Sequence, residues 1–168
     1  PVQAMENLRT AFSLALAANK HIAIHTDDYA ECVLALKSIV LASFSPDDVV
    51  EIDLQECHTY EEISNKMGRK SEGNSPELHK VVIWKNLETI NLRVKSEILK
   101  IFDEIERYDK LGSKNVSRSE PISLGNAQVI LPDLFIIVPV MEAGAEFPKL
   151  HRQVKHRFWF CQSHYHTY

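Results

Sequence analysis

The residues best placed to do chemistry fall into a few groups, and the first is His25-Thr26-Asp27-Asp28-Tyr29-Ala30-Glu31. It sits between a short apolar run and a helical pattern. Such a junction holds phosphate when it carries G-x-x-x-x-G-K-[ST]: the glycines let backbone N–H groups approach the oxygens, and the lysine neutralises their charge. Here there is no Gly and no Lys, and the three carboxylates of Asp27, Asp28 and Glu31 would repel a triphosphate. Carboxylates at that place satisfy the helix start instead. Lys37 lies about two turns too late to substitute.

The eight histidines raise a metal question, above all His164-x-His166 with Cys161 upstream. Zinc requires three or four ligands converging from fixed elements. This tail, with Tyr165 and Tyr168 interspersed, reads as a frayed end with surface histidines, so no metal is expected. His21 and His25 share a strand face but lie too far apart to share an ion. The carboxylates of Asp103, Glu104, Glu106 and Asp109 could pair as acid and base, yet such a run is more simply a solvated face. The basic segment Lys149, His151, Arg152, Lys155, His156, Arg157 stands out in an acidic chain. Its Lys149, Arg152, Lys155 and Arg157 could meet an acidic protein partner or a nucleic-acid backbone. In the adjoining Phe158-Trp159-Phe160, alternation puts both phenylalanines on one strand face, favouring core packing over base stacking. No G-x-S-x-G supports an acyl nucleophile.

The elements that must position these residues follow from periodicity. Residues 2–18 predict an amphipathic helix through Leu8, Ala11, Phe12, Ala15 and Leu16, stopping near Asn19. Residues 21–25 predict a strand, 28–43 a helix, 49–54 a strand, 60–67 a short helix and 79–84 a strand. A long helix is expected from Leu87 to Tyr108, on the stripe Leu87, Ile90, Val94, Ile98, Ile101 and Ile105. Strands are expected at 134–138 and 156–161, with a short helix at 147–154. Residues 68–77 and 109–127 read as loops or insertions. Strands alternating with helices imply crossovers and a mostly parallel sheet, and near-continuous apolar strands imply helices on both its faces. The fold class is therefore α/β, a three-layer sandwich in one domain spanning 1–168.

Bulk properties agree. A chain of 168 residues with 45% apolar and 25% charged residues can bury a core. A net charge of −4 argues against a domain-wide nucleic-acid role. Cys32, Cys57 and Cys161, widely spaced, fit reduced thiols in an intracellular protein, in cytoplasm or nucleus. No apolar run reaches the ~18 residues of a membrane helix. The first residue is Pro, and the chain reads as part of a longer protein.

From Ile83 onward the sequence resembles the magnesium-chelatase and MoxR branch of the AAA+ ATPases. The residues that carry this are Leu131-Pro132-Asp133-Leu134-Phe135-Ile136-Ile137-Val138-Pro139-Val140-Met141-Glu142 and Leu150-His151-Arg152-Gln153-Val154-Lys155-His156-Arg157-Phe158-Trp159-Phe160. The second string is similar to fungal magnesium-chelatase-like proteins, a group linked by name to telomere capping. The resemblance implies a P-loop NTPase fold, a Walker B strand leading into a long helix and an inserted hairpin, then a sensor-1 strand. It also implies a helical lid, which this chain lacks.

By the same resemblance, Lys85-Asn86 stands where Walker B places the Asp-Glu that organises Mg²⁺ and water. A cation cannot hold Mg²⁺, and an amide is a poor base. Glu142 stands where sensor 1 offers Asn or Thr. Arg157 occupies the place of an arginine finger, although with His156 before it a surface or capping role is preferred. His25, Thr26, Asp27, Asp28, Lys85, Asn86 and Glu142 thus form a degenerate nucleotide site with no catalytic residue and no cofactor. The expected function is a non-hydrolysing, AAA+-like scaffold or adaptor that binds protein partners and no membrane. The alternatives are an ATPase subunit with divergent motifs and a telomere- or DNA-associated factor.

Overall fold

The computed structural model describes residues 2–69, 77–87, 121–124, 127–130, 135–141 and 155–166, with Val94, Ser96 and Ile98. The first helix, α1, spans Val2–Ala17 and buries Ala4, Leu8, Ala11, Phe12 and Ala15, the i, i+3, i+4 positions of one face. Its end is sealed by Asn19 in the left-handed region at φ 55°, with the Lys20 N–H donating to Ala15 O at 2.8 Å. The strand β1, His21–Thr26, follows, and then α2, Tyr29–Leu41.

The chain continues through β2 (Val49–Asp53) and α3 (Tyr60–Met67). Thr59 caps α3 by accepting from the Glu62 N–H, while Glu62 reaches back to the His58 N–H at 2.9 Å. Two-residue strands β3 (Gly68–Arg69) and β4 (Glu77–Leu78) come next, then β5 (Val81–Lys85). Later strands are β6 (Pro121–Leu124), β7 (Ala127–Ile130), β8 (Phe135–Val140) and β9 (Phe158–Ser163).

The main sheet has the order β2-β5-β8-β1-β9, and every pairing in it is parallel. Both faces are covered, as parallel sheets require. On one side Ile22, Ile24, Val81, Ile83 and Ile137 pack against α1 and α2. On the other, Ala23, Ile52, Val82, Trp84, Ile136 and Val138 pack against α3 and the helical residues Val94 and Ile98. The expected α/β architecture with helices on both faces is what forms. The order differs from the Rossmann 3-2-1-4-5 and flavodoxin-like 2-1-3-4-5 patterns, because the first strand lies between the fourth and fifth long ones.

Several expectations need correction. The range 109–127 reads as a loop or insertion, and its end carries a strand: Pro121–Leu124 pairs antiparallel with Ala127–Ile130. The range 68–77 has paired ends, Gly68–Arg69 against Glu77–Leu78, and the four short strands make a second small sheet. The third long strand begins at Val81 instead of His79, and the last begins at Phe158 and runs to Ser163. Lys155–Arg157 forms a 3-10 turn before it. The 147–154 helix and most of the 87–108 helix lie outside the described residues. Among those described, no helix is long and apolar enough to cross a membrane.

Candidate functional site

In an open parallel sheet, ligands bind beyond the carboxyl ends of the strands, where neighbouring connections leave in opposite directions. Here that place lies between β1 and β8: the connection after β1 leads to β2 at the far edge, whereas β9, the next strand after β8, lies on β1's other side. The structure gathers His25, Thr26, Asp27, Asp28, Lys85 and Asn86 at this end of the sheet. Glu142 lies outside the described residues.

The β1–α2 connection is closed. β1 ends at Thr26 and α2 starts at Tyr29, so Asp27 and Asp28 are the whole link. A phosphate loop needs about eight residues to arch around its anion, and two residues cannot form it. The turn is braced by Thr26, whose hydroxyl donates to Asp28 O at 3.1 Å and accepts from the Asp28 N–H at 3.2 Å. Asp28 caps α2, accepting from the Glu31 N–H at 3.1 Å. One backbone donor that could face a phosphate is thereby taken by a carboxylate.

Asp27 does something the sequence reading missed. Its carboxylate accepts from the Tyr165 N–H at 2.7 Å and the His166 N–H at 3.0 Å. His166 Nε2 also lies 3.0 Å from Asp28 Oδ2, and His164 Nδ1 lies 3.9 Å from Asp27 Oδ2. The His25 and His164 rings meet edge to face at 5.0 Å. The tail expected to fray is therefore strapped across the β1–α2 turn, and of the two aspartates only Asp28 caps the helix. Desolvation works to raise the Asp27 pKa, but the N–H groups of Tyr165 and His166 outweigh it and hold the carboxyl below its ordinary value.

A second set of contacts crosses the crevice. Asn86 turns the chain out of β5 in the left-handed region, φ 64°. This aims its N–H at the Tyr29 hydroxyl, 2.9 Å away, and its side-chain amide at Asp53 Oδ1, 2.8 Å away. Tyr29 thus reaches from the start of α2 past the end of β8 to the end of β5. Asn86 holds the Asp53 carboxyl below its usual pKa, outweighing the opposing effect of desolvation, with help from the Gln55 N–H. Beside it Glu51 pairs with Lys37 of α2 and, at 3.5 Å, with Lys85. Lys85 is thus matched to a carboxylate in its own sheet.

Arg157, with Lys155 and His156 in the same 3-10 turn, belongs to the other end of the sheet. Phe158 pairs with His21 at the start of β1, so Arg157, one residue earlier, stands about 20 Å, six strand residues, from Thr26. Its charge acts on His21, whose pKa falls to about 4, first through burial and second through Arg157. Within one chain Arg157 does not serve the crevice. Lys149 and Arg152 lie outside the described residues, as does the side chain of Lys155. Phe158 is buried and Phe160 is 43% exposed, so core packing holds for only the first of that pair.

Two contributors, Tyr29 and Asp53, had no role in the sequence reading. The one local signal was Asn86, a residue type that tolerates positive φ, directly after an apolar strand. Among the described residues no cluster of three or more His, Cys, Asp or Glu is arranged to hold a metal ion. Cys32 and Cys161 are thiols pushed up to about 12 by burial, which makes them poor nucleophiles.

No protein-family model matches this sequence, and no curated protein sequence matches it. Its fold is similar to that of NtrX from Brucella abortus, with a TM-score of 0.53 and 12% sequence identity. The match covers 94% of this chain and 36% of that one, so the chain spans about a third of NtrX. At this identity the likeness concerns the fold.

Proposed function

We propose that the chain is a catalytically inactive AAA+-like domain of the magnesium-chelatase-like type that works as a protein-interaction scaffold. The observation that carries this reading is the two-residue β1–α2 link, with Asp28 on the helix N-terminus and Asp27 engaged by the tail. The hairpin of β6 and β7 supports it, since it precedes β8 as the family's inserted hairpin precedes the sensor-1 strand. The side-by-side order of β5, β8 and β1 supports it too, because the reading needs the strands aligned by resemblance with Walker B and sensor 1 to lie beside the one that leads into the phosphate-loop position. The described residues that the resemblance aligns with those motifs are taken up by other groups of the chain: Asp27 by the tail, Asp28 by α2, Lys85 by Glu51, Asn86 by Tyr29 and Asp53.

The test is a thermal-shift titration with ATP and Mg²⁺. No displacement of the melting temperature is expected at millimolar nucleotide, because a ligand stabilises only the state that binds it. A rise of several degrees that disappears in Lys85→Ala would overturn the reading in favour of a divergent ATPase.

A further inference from the structure

We infer that the trough between α1 and α2 is a docking surface for a basic amphipathic helix of a partner protein. The inference rests on the scaffold reading and gives it a location and a partner chemistry. The trough has a volume of about 530 Å³. Met5 of α1 and Leu34 and Ala35 of α2 line it, and Asp28, Glu31 and the strapped tail residue His166 stand at one end.

Single exposed leucines are ordinary on protein surfaces. These apolar groups instead border a concave volume from two helices. Leu34 is 61% exposed, and Leu41, seven residues on along the same face of α2, is 46% exposed. Val2, one turn before Met5 on α1, is 80% exposed. Ser38, which also lines the trough, separates Leu34 from Leu41, so the apolar lining is the patch Met5, Leu34 and Ala35, with Val2 and Leu41 exposed beyond it.

The walls dictate the form of the occupant. Both are helices whose backbone groups bond internally, so they offer no edge to which a strand could add. A partner held by side chains alone must satisfy its own backbone, which a helix does. Its apolar residues would recur at i, i+3, i+4 and i+7 to meet Met5, Leu34 and Ala35. α2, with 13 residues, is about 20 Å long and matches between three and four turns of partner.

Charge selects the sign. The polar end presents the exposed carboxylate of Glu31, beside an Asp28 that already caps α2 and meets His166, in a chain of net charge −4. Lysine or arginine on the partner complements it, whereas an anionic lipid surface is repelled by the same group.

The probe is a fluorescein-labelled helical peptide of about 18 residues, roughly five turns, with leucines on one face and lysines on the other. A counterpart carries glutamate for lysine. In fluorescence anisotropy the Leu/Lys peptide should bind saturably and the Leu/Glu peptide should not. Leu34→Asp should weaken binding about tenfold. Glu31→Arg should weaken it about threefold and let the Leu/Glu peptide bind. Both positions are exposed, so circular dichroism should stay as in the parent; Leu34→Asp should keep the melting temperature, and Glu31→Arg, a cation in the first turn of α2, should lower it by only about 1–4 °C. Absence of saturable binding, or equal affinity in the parent and Leu34→Asp, overturns the proposal. So does binding to phosphatidylserine vesicles that Leu34→Asp abolishes, which would make the surface a membrane contact. A nucleotide-induced thermal shift alongside normal peptide binding would remove the nucleotide-free reading and leave the docking surface standing. Peptide failure without such a shift removes the docking surface alone.

Discussion

The two ends of β1 treat polar groups in opposite ways. At its start His21 is 7% exposed, its ring 5.4 Å from that of Phe158. Its Nδ1 lies 3.0 Å from the Ile136 N–H and must accept that hydrogen, so the imidazole is sealed in as the neutral form. At the other end the charges stay within reach of water and are matched one to another: Asp27 with the tail, Asp28 with α2, Asp53 with Asn86, Glu51 with two lysines. A nucleotide site needs a third arrangement, with charges held in place but left for the ligand. Neither end has it.

The largest expected effect tests the sealed end. Folded His21 stays neutral down to about pH 4, whereas in the unfolded chain it protonates near 6.5. Between those values the unfolded state binds the extra proton, so stability falls as pH drops from 6.5 toward 4. The loss totals about 3 kcal/mol and is absent above that window. His21→Gln keeps an acceptor for Ile136 without the titration, so its urea midpoints should vary less with pH there. Parallel curves for parent and variant would show that His21 is not the neutral group.

At the matched end, Asn86 supplies the next effect. Asn86→Gly tolerates φ 64° but deletes the amide that holds Asp53, and should cost about 1 kcal/mol. Asn86→Ala adds left-handed strain and should cost about 2 kcal/mol. Equal losses in urea denaturation would mean that the backbone conformation contributes nothing. Asp27→Ala should release the tail, read as faster amide exchange at Tyr165 and His166 with little change in the global midpoint. Because the folded Asp27 pKa lies below its ordinary 3.8, its contribution is present above that pH and is lost as pH falls through the folded value. The two ends of β1 therefore give way in separate windows, His21 first and Asp27 later. Unchanged exchange at those amides in Asp27→Ala would show that other contacts hold the tail.

Local pattern carries the sealed architecture well, because burial imposes periodicity on sequence. The stripe Leu8, Ala11, Phe12, Ala15 announces α1, and Val81-Val82-Ile83-Trp84 announces a strand covered on both faces. The absence of a phosphate loop is equally legible, since Gly and Lys are simply missing. The matched end is not legible, because its contacts join residues far apart in sequence. Asn86 meets Tyr29 across 57 positions and Tyr165 meets Asp27 across 138. Nothing in His164-Tyr165-His166 alone distinguishes a strap from a frayed tail. The carboxylate that fixes it lies on another element.

Glu51 offers the smallest effect on stability and the sharpest probe of the comparison. It stands between Lys37 and Lys85, whose side chains are 45% and 28% exposed. Glu51→Gln leaves two cations facing each other, yet water screens them, so the cost should be about 0.5 kcal/mol and shrink as salt rises. The variant also turns a matched cluster into a net positive one near the carboxyl ends of β2 and β5, with Asp53 as the carboxylate left beside Lys85. Pyrophosphate at millimolar concentration should then raise its melting temperature while leaving the parent's unchanged. Such a gain would mean that charge matching is what keeps phosphate out. If both proteins ignore pyrophosphate, the barrier is the two-residue turn at Asp27-Asp28, since no change of charge can lengthen it into a loop that surrounds an anion.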